Sequence, residues 1–315
     1  MELDLAYLCK EVREIARASA TFLKEERRKF DRNLVEEKSA HNYVSYVDKE
    51  SERQIIEALS TLLPEAGFIA EEGSGSLTDE EYCWVIDPLD GTSNYIHDIA
   101  PYCVSIALRN RKELLLGVVY EVCRDECFYA VKGGKAYLDG NEIHVSDVSV
   151  LDNAFIALGF PYNSDAYRPV AAHLVDRLYG FAGGTRLMGS AAAELCYVAA
   201  GRFDARIEAY LGPWDVAAGA LILLQAGGKI SDFMCDMLDK RAFHMAGLDN
   251  GLICRIQFPV QRQGAHIVER DNNQQYQHQA SDNHGSYKEI AVDLRPQFQL
   301  IVLQLVHFEL HSIFA

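Results

Sequence analysis

The sequence predicts a mixed α/β (α+β) protein, and two observations support this prediction. Residues 1–145 show two amphipathic helical patterns and then a run of apolar segments joined by short turns, which is typical of a largely antiparallel sheet. From about residue 150, strand patterns alternate with helical ones, as in a layered α/β unit. We therefore expect an N-terminal α+β part over residues 1–145 and a smaller α/β part over residues 146–251.

Two helices are predicted at the start of the chain. Between residues 3 and 27, apolar side chains recur at helical spacing and share one face. These side chains are Leu5, Leu8, Val12, Ile15 and Phe22. The stretch DKESERQIIEALSTLLP fits a second helix that begins near Asp48 and stops at Pro64, because proline lacks the amide hydrogen that a helix needs.

Strands follow, first in series and then between helices. The predicted strands of the first part are YCWVID, CVSIALRN, LLLGVVYEV and ECFYAVKG, with turns at CRDE and DGN. In the second part, NAFIALGF and RFDARIEA are predicted strands, and SAAAELCYVAAG and PWDVAAGALILLQAGG are predicted helices. Ser190 suits a helix N-cap and Pro213 a first helical turn. Gly201 and Gly227 suit the ends of the two helices.

Residues 252–315 differ in composition from the rest of the chain. They hold ten of its twelve glutamines, and ERDNNQQYQHQASDNHGS has almost no apolar residues, which is typical of a linker or of disorder. The closing stretch FQLIVLQLVHFELHSIF is apolar and fits a helix, a strand or an exposed surface. We expect an atypical glutamine-rich tail that is partly disordered.

Composition and charge narrow the functional classes. The 315 residues are 49% hydrophobic and 24% charged, as in a globular protein with a sizeable core. A net charge of −16 would be repelled by nucleic acid and by anionic membranes, so neither is an expected partner. The eight cysteines form no CxxC pair and several lie in apolar runs, which favours buried thiols in a reducing compartment. Without a signal peptide pattern at the acidic N-terminus, we expect a cytoplasmic protein.

One stretch stands out chemically, WVIDPLDGTSNYIH at residues 84–97. Asp87 directly follows an apolar strand, where an unpaired carboxylate would be costly to bury, so it requires a cation or several hydrogen-bond donors. Asp90 follows across a turn that contains proline and could aim a second carboxylate at the same point. Two hard oxygen ligands at a strand end suit Mg²⁺, and the amides of Gly91 and Thr92 would suit a phosphate group.

For Asp90 and for the carboxylates outside this stretch, purely structural explanations are also available. Glu71 and Glu72 fit a solvated loop, and Asp90 before a glycine fits a turn. Asp215 fits the positive end of a helix dipole, and Asp48 fits a helix cap. The residues by themselves leave these explanations open beside a metal-and-phosphate site.

Taken together, residues 1–251 resemble the inositol monophosphatase family of Mg²⁺-dependent, lithium-sensitive sugar phosphatases. The first family signature stands here as WVIDPLDGTSNY and the second as WDVAAGALILLQAGG. FIAEE precedes the first signature, and GFPY and GSAAAELCYVAAGRFDARIE lie between the two in the family order. The resemblance implies the layered αβαβα sugar-phosphatase fold, with an antiparallel N-terminal sheet, and a homodimer.

The resemblance also implies a site with two or three Mg²⁺ ions. The matching metal ligands are Glu71, Asp87, the carbonyl of Leu89, Asp90 and Asp215. The matching catalytic residues are Glu71, Thr92 and Asp48, of which Thr92 and Asp48 would orient the attacking water. The matching substrate contacts are Asp90, Gly91, Thr92, Ala191, Glu208 and Asp215, with Ala191 and Glu208 on the polyol or sugar side.

The implied activity is Mg²⁺-dependent hydrolysis of a small phosphorylated polyol or sugar, first of all inositol monophosphate, by metal-activated water without a covalent intermediate. Divalent cations would let an acidic protein bind this anionic substrate. Related activities on fructose bisphosphate, 3′-phosphoadenosine phosphate or histidinol phosphate stay open, although GTSNY favours inositol-type members. A non-catalytic protein with an altered C-terminus also stays open.

Two departures from the family pattern bear on these expectations. The loop before Asp48 is about one residue shorter than in the family, which affects the expected substrate selectivity. The glutamine-rich tail stands where family members close with a short helix.

Overall fold

The computed structural model describes residues 3–39, 42–73, 80–162, 164–209, 211–232 and 252–255. Its helices are α1 Leu5–Arg27, α2 Tyr46–Leu62, α3 Thr92–His97, α4 Ser164–Leu178, α5 Ala191–Ala199 and α6 Pro213–Gln225. Its first strands are β1 Glu36–Ser39, β2 Asn42–Val44, β3 Gly67–Ala70, β4 Tyr82–Asp90, β5 Cys103–Asn110, β6 Leu114–Glu121, β7 Glu126–Val131, β8 Ala136–Leu138 and β9 Asn141–Glu142. The later strands are β10 Phe155–Leu158, β11 Gly184–Arg186, β12 Ala205–Glu208, β13 Lys229–Asp232 and β14 Leu252–Arg255.

Both predicted N-terminal helices are present, and each begins at a polar cap. Asp4 accepts a hydrogen bond from the amide of Tyr7 at 3.0 Å. Ser45 caps α2, and Asp48 in the first turn accepts the Ser45 amide at 2.8 Å, which completes a capping box. Asp48 is thus part of the cap, as its position suggested, but the cap residue itself is Ser45.

A seven-stranded sheet forms the first part of the fold, with strand order β3-β4-β5-β6-β7-β8-β9. Only β3 and β4 pair in parallel, and the other neighbours are antiparallel. Helices α1 and α2 cover one face, where the fully buried Trp84 packs among their apolar side chains. Burial of apolar surface stabilises the fold by about 25 cal/mol for each Å² removed from water.

A five-stranded sheet forms the second part, with strand order β11-β10-β12-β14-β13. Strands β11, β10 and β12 are parallel, whereas β14 is antiparallel to both β12 and β13. Side chains alternate along β12, so that Ala205 and Ile207 pack towards Leu174 and Leu178 of α4. The next residue, Arg206, points the other way, towards α5.

Helices α5 and α6 lie between the two sheets and share one core cluster with both. The approach of α6 to the first sheet is close at Gly117 of β6, where an added Cβ would come within 2.6 Å of the Ala218 carbonyl oxygen. The molecule therefore has the five layers helix, sheet, helix, sheet and helix. The predicted αβαβα architecture is confirmed.

Several elements were not predicted from the sequence. They include the hairpin β1–β2, the short helix α3, the helix α4 and the strands β3, β8, β9, β11 and β13. Helix α4 contains Pro169, a residue that normally interrupts helices, and β1 is exposed along its whole length, so neither shows a clear periodic pattern.

The start of the predicted tail belongs to the second sheet, because β14 pairs with β12 and β13 there. The rest of residues 252–315 lies outside the described residues, so the expected disorder stays a prediction, as do the part boundaries. No helix in the described ranges is long and apolar enough to cross a membrane.

Five cysteines of the described part are free and buried, as predicted, namely Cys9, Cys83, Cys103, Cys127 and Cys196. Cys123 is also free but exposed.

Candidate metal centre

The motif at residues 84–97 forms the end of β4 and the start of α3. The pairing of β4 with β5 shifts between Asp87 and Asp90, which lie opposite Ser105 and Cys103. A step of three residues in β4 thus corresponds to a step of two residues in β5, which is a β-bulge. The bulge places the carboxylates of Asp87 and Asp90 on the same side of the sheet. Both side chains are buried, Asp87 with an exposed fraction of 1%.

Asp215 reaches the same place from the second signature. It lies in the first turn of α6, where its carboxylate accepts the amide of Gly212 at 2.6 Å. Asp87, Asp90 and Asp215 each offer a carboxylate oxygen, and these three oxygens lie within 4.8 Å of one another. The structure therefore brings together three of the predicted metal ligands, from two distant segments of the chain.

Glu71 lies beside this cluster, just after β3, where its amide donates to the carbonyl of Ile86 at 3.2 Å. Its carboxylate is 3.1 Å from the ammonium of Lys38, which also contacts Glu72 at 2.6 Å. Lys38 belongs to the hairpin β1–β2, in the segment before Asp48 that bears on the expected substrate selectivity. Lys38 thus holds the Glu71 carboxylate close to the three aspartates. The role of Glu71 as a metal ligand stays a prediction.

Thr92 and Asp48 contact each other, as expected of residues that act together. The Thr92 hydroxyl is 2.9 Å from Asp48 Oδ1 and 3.0 Å from the carbonyl oxygen of Leu89. The other oxygen of Asp48 accepts the amide and the hydroxyl of Ser45. Asp48 is buried behind Thr92, so it would act on the cleft through that hydroxyl.

Asp90 has an unforeseen set of hydrogen-bond donors. It accepts the Ser190 hydroxyl at 2.6 Å and the amides of Ala191 at 3.2 Å and Ala192 at 2.7 Å. Ser190 does stand at the predicted N-cap of α5, but its hydroxyl binds Asp90 and makes no cap bond to its own helix. The carboxylate from β4 therefore takes the place of the helix cap, and it joins the two parts of the fold.

Burial dominates the electrostatics of the cluster. It raises the pKa of Asp87 and of Asp215 well above the usual carboxyl range, and repulsion from neighbouring carboxylates raises both further. The pKa values of Glu71 and Asp90 are raised too, again chiefly by burial. Such a set of buried carboxylates is stabilised by a cation.

The carboxylates lie in a cleft of about 440 Å³ that also contains the other predicted contact residues, Gly91, Thr92, Ala191 and Glu208. Gly91 has φ 91°, and a Cβ there would come within 3.0 Å of the Pro101 carbonyl oxygen, so only glycine fits. The structure thus gathers all predicted site residues around one cleft, with Asp48 behind it.

The donor set fits Mg²⁺. All side-chain atoms available as metal ligands are carboxylate oxygens, which Mg²⁺ prefers. The burial of these carboxylates and their mutual repulsion favour a bound divalent ion. The Leu89 carbonyl, at the same bulge, would add a neutral oxygen.

Other polar residues of this region were not predicted. Glu52 of α2 is fully buried and accepts the amide of Glu72 at 2.8 Å. Glu194 and Arg206 form a buried ion pair beside Glu208. A lone glutamate in the alanine-rich stretch AAAEL and an arginine between Ala205 and Ile207 were the available signals.

Comparison with known proteins agrees with this arrangement. The sequence pattern of the inositol monophosphatase family matches residues 4–277. Over 199 residues the chain is 41% identical to Nus factor SuhB of Escherichia coli, which covers 62% of this chain and 74% of that protein. Over 219 residues it is 38% identical to a fructose-1,6-bisphosphatase/inositol-1-monophosphatase of Aquifex aeolicus, covering 69% of this chain and 83% of the relative.

Solved structures show the same fold. The extragenic suppressor protein SuhB of Bartonella henselae superposes with a TM-score of 0.70 at 31% identity, over 77% of this chain and 91% of that one. An IMPase of Thermotoga maritima superposes with a TM-score of 0.69 at 29% identity, over 77% and 89%. With the two signatures placed on one acidic cleft and the family pattern matched over most of its length, the chain belongs to the inositol monophosphatase family.

Proposed function

We propose that this protein is a Mg²⁺-dependent phosphatase that hydrolyses a small phosphate monoester, with inositol monophosphate as the first candidate. The observation that carries the proposal is the cluster of Asp87, Asp90 and Asp215, whose oxygens lie within 4.8 Å in a cleft. Three buried carboxylates would repel an anionic substrate, so the cleft accepts a phosphate group only together with cations.

Two or three ions would be held by these aspartates with Glu71 and the Leu89 carbonyl. Bound Mg²⁺ supplies charge neutralisation of the phosphate and a lowered pKa for water. Lys38, which contacts Glu71, would have to yield part of that contact when Glu71 serves as a ligand.

The chain itself orients the attacking water. Asp48 Oδ1 accepts the hydroxyl hydrogen of Thr92, and this leaves the lone pairs of the Thr92 oxygen free to accept a hydrogen bond from water. Asp48 is fixed in turn by the Ser45 amide and hydroxyl, so the Thr92 rotamer is locked from behind. The Gly91 and Thr92 amides would receive the phosphate, and Ala191 and Glu208 would contact the polyol.

Further properties follow from family membership as proposals. We expect lithium to inhibit the enzyme through one of the metal positions. Family membership also leads us to expect a homodimer. From the N-terminal sequence and the net charge of −16 we expect a cytoplasmic protein that binds neither nucleic acid nor membranes.

Fructose bisphosphate is the second candidate substrate, because the Aquifex relative carries both activities in its name. 3′-Phosphoadenosine phosphate and histidinol phosphate stay as further alternatives. A non-catalytic role is a further alternative, because several relatives carry the name Nus factor SuhB, which does not denote an enzyme. Phosphate release from each compound separates these alternatives.

The test is phosphate release from inositol 1-phosphate by the full chain, with Mg²⁺ and with EDTA, beside the variant Asp90→Asn. We expect Mg²⁺-dependent turnover in the wild type and a loss of about 100-fold or more in the variant, since a charged ligand is removed. Circular dichroism checks the fold, because the new amide NH₂ would face the Ala191 and Ala192 amides.

Full activity of a folded Asp90→Asn variant would contradict the metal assignment. A folded wild type that releases phosphate from none of the compounds would favour the non-catalytic role.

A further inference from the structure

A buried arginine lies behind the wall of the cleft. Arg206 is fully buried on β12, between the second sheet and α5. Its Nε donates to Glu194 at 2.8 Å, and its Nη2 donates to Glu208. Arg206 thus connects two carboxylates that both line the cleft.

The same contacts continue to the loop before α5. The second oxygen of Glu194 accepts the amide of Met188 at 2.8 Å. Two residues later, Ser190 binds Asp90 of the metal cluster. Arg206 is therefore joined to the metal side of the cleft through Glu194 and to the substrate side through Glu208.

Glu208 has a defined place at the wall. Its carboxyl lies over Gly159, where a Cβ would overlap with it, so the absence of a side chain at this position makes room for the carboxylate. A guanidinium has five donors in a rigid fork and no acceptor, so its partners are kept as hydrogen-bond acceptors. The wall thus presents an acceptor with an overall negative charge, since two carboxylates face one arginine.

We propose that Arg206 is a positioning residue for substrate selectivity, which holds Glu208 as an acceptor for the hydroxyl groups of a polyol. This rests on the proposed function in that it concerns the same cleft. A wall of this kind favours a substrate with hydroxyl donors next to its phosphate, and it disfavours a second phosphate there.

The experiment compares wild type and Arg206→Lys, which keeps the charge but cannot fork between two carboxylates. Inositol 1-phosphate probes both halves of the cleft, whereas inorganic phosphate, as a product inhibitor, probes only the metal half. We expect the KM for inositol 1-phosphate to rise about tenfold, as for the loss of one hydrogen bond, with kcat and the inhibition constant of phosphate within about twofold.

A double-mutant cycle separates positioning from general damage. Glu208→Ala should raise the same KM, and adding Arg206→Lys to it should change the KM by less than about twofold, because Glu208→Ala already removes the carboxylate that Arg206 holds. Arg202→Lys is the matched control. The two terminal nitrogens of Arg202 donate to the Glu126 carboxylate at 2.6 and 2.7 Å, and this pair lies outside the cleft. Arg202→Lys should leave the KM unchanged.

Equal losses for substrate and phosphate, additive effects in the cycle, or an unchanged KM would each overturn the proposal. If the wild type releases phosphate from none of the candidate compounds, the proposed function fails; if it is inactive on inositol 1-phosphate alone, only the first candidate substrate is ruled out. In both cases thermal shifts in Mg²⁺ test the role of Arg206 separately. The proposal for Arg206 would be supported if inositol 1-phosphate raised the melting temperature of the wild type more than inorganic phosphate does, and if this difference disappeared in Arg206→Lys. A wild type that shifts equally with both would overturn it.

Discussion

Asp87 is buried among other acids, with Glu71, Asp90 and Asp215 around it. The amide of Leu89 donates to its Oδ1 at 3.0 Å, which offsets only part of the loss of hydration. Without a metal ion, the charge of Asp87 therefore destabilises the folded state. Function and stability make opposite demands on this one side chain.

The variant Asp87→Asn should separate these demands. Its amide oxygen can keep the bond to Leu89 N, while the repulsion disappears, so the metal-free protein should unfold about 2–4 °C higher for each 1 kcal/mol gained. Phosphate release should fall about 100-fold or more, and Mg²⁺ should no longer raise the melting temperature as it does in the wild type. Thermal melts in EDTA and in Mg²⁺ measure both effects.

Asp98→Asn makes the same substitution at an exposed residue, whose carboxylate pairs with Arg27 at 3.2 Å, and should change little. A lower metal-free melting temperature in Asp87→Asn, with the Mg²⁺ effect retained, would show that repulsion does not govern this cluster.

For single residues, the sequence predicts which side chains bind a metal better than it predicts their hydrogen-bond partners. Asp87, Asp90 and Asp215 stand out because acids after an apolar strand or in a tight turn need a cation or donors. The donors to Asp90 come from Ser190 and Ala192, a hundred residues further along the chain, and no local pattern marks such a contact. Only the fold supplies that information.

Among the elements, helix α2 contacts several segments of the site. One face of it carries Asp48, Ser51 and Glu52, all buried. Asp48 binds Thr92, the Ser51 hydroxyl is 3.3 Å from the Pro88 carbonyl, and Glu52 accepts the amide of Glu72. Three separate site segments are thus held by a single helix.

Glu52 should affect metal binding without being a ligand. In Glu52→Ala the Glu72 amide loses its acceptor, so the turn that carries Glu71 should loosen, and the Mg²⁺ concentration for half-maximal activity should rise about tenfold. Glu52→Gln keeps an acceptor oxygen and should stay within about threefold of the wild type. Mg²⁺ titrations of activity provide the measurement.

Glu57→Gln, at an exposed position of the same helix that pairs with Arg53, is the matched control. An unchanged Mg²⁺ dependence in a folded Glu52→Ala variant would mean that Glu71 is positioned by other contacts.

Element prediction succeeded where the pattern was internal to the element. Helices α1 and α2 have polar caps and periodic apolar faces, helices α5 and α6 are apolar runs with serine, proline or glycine at their ends, and the long strands β4 to β7 are buried apolar runs. The hairpin β1–β2 has an exposed first strand whose anchor is the distant pair between Lys38 and Glu72. Its order depends on tertiary contacts that a local pattern does not show.

For the whole molecule, the raised pKa values make stability depend on pH. Burial raises the pKa of Glu72 to about 7, and it raises those of Asp87 and Asp215 as well. Between the ordinary carboxyl pKa near 4.5 and these raised values, the folded state binds more protons than the unfolded chain does. Stability therefore falls as the pH rises through this window.

In EDTA, the melting temperature should decrease from pH 5 to pH 8, and the increase produced by Mg²⁺ should be larger at pH 8, where fewer protons compete with the metal. Carboxyls with a lowered pKa, such as Glu50 at about 2, lose their contribution only below this window. The pH dependence should be shallower in Asp87→Asn. A metal-free melting temperature that rises towards pH 8 would contradict the assignment.

The layered fold is a property of the whole molecule that the chain order conceals. The sequence predicts two consecutive parts, yet α5 and α6 of the second part cover the inner face of the first sheet. Side chains of β6 and α6 therefore have to fit each other, as Gly117 and Ala218 do, although nothing in either segment refers to the other. The family resemblance could supply this architecture, whereas periodicity alone could not.

The position of α6 also sets the order of events at the ribosome. Glu71, Asp87 and Asp90 leave the exit tunnel well before Asp215, and the inner face of the first sheet leaves it before the helices that cover it. During this interval the nascent chain exposes an apolar sheet face, which is the kind of surface that chaperones bind. The acidic cluster becomes complete only when α6 docks, so a nascent chain becomes able to bind its metal at the same step that covers its sheet.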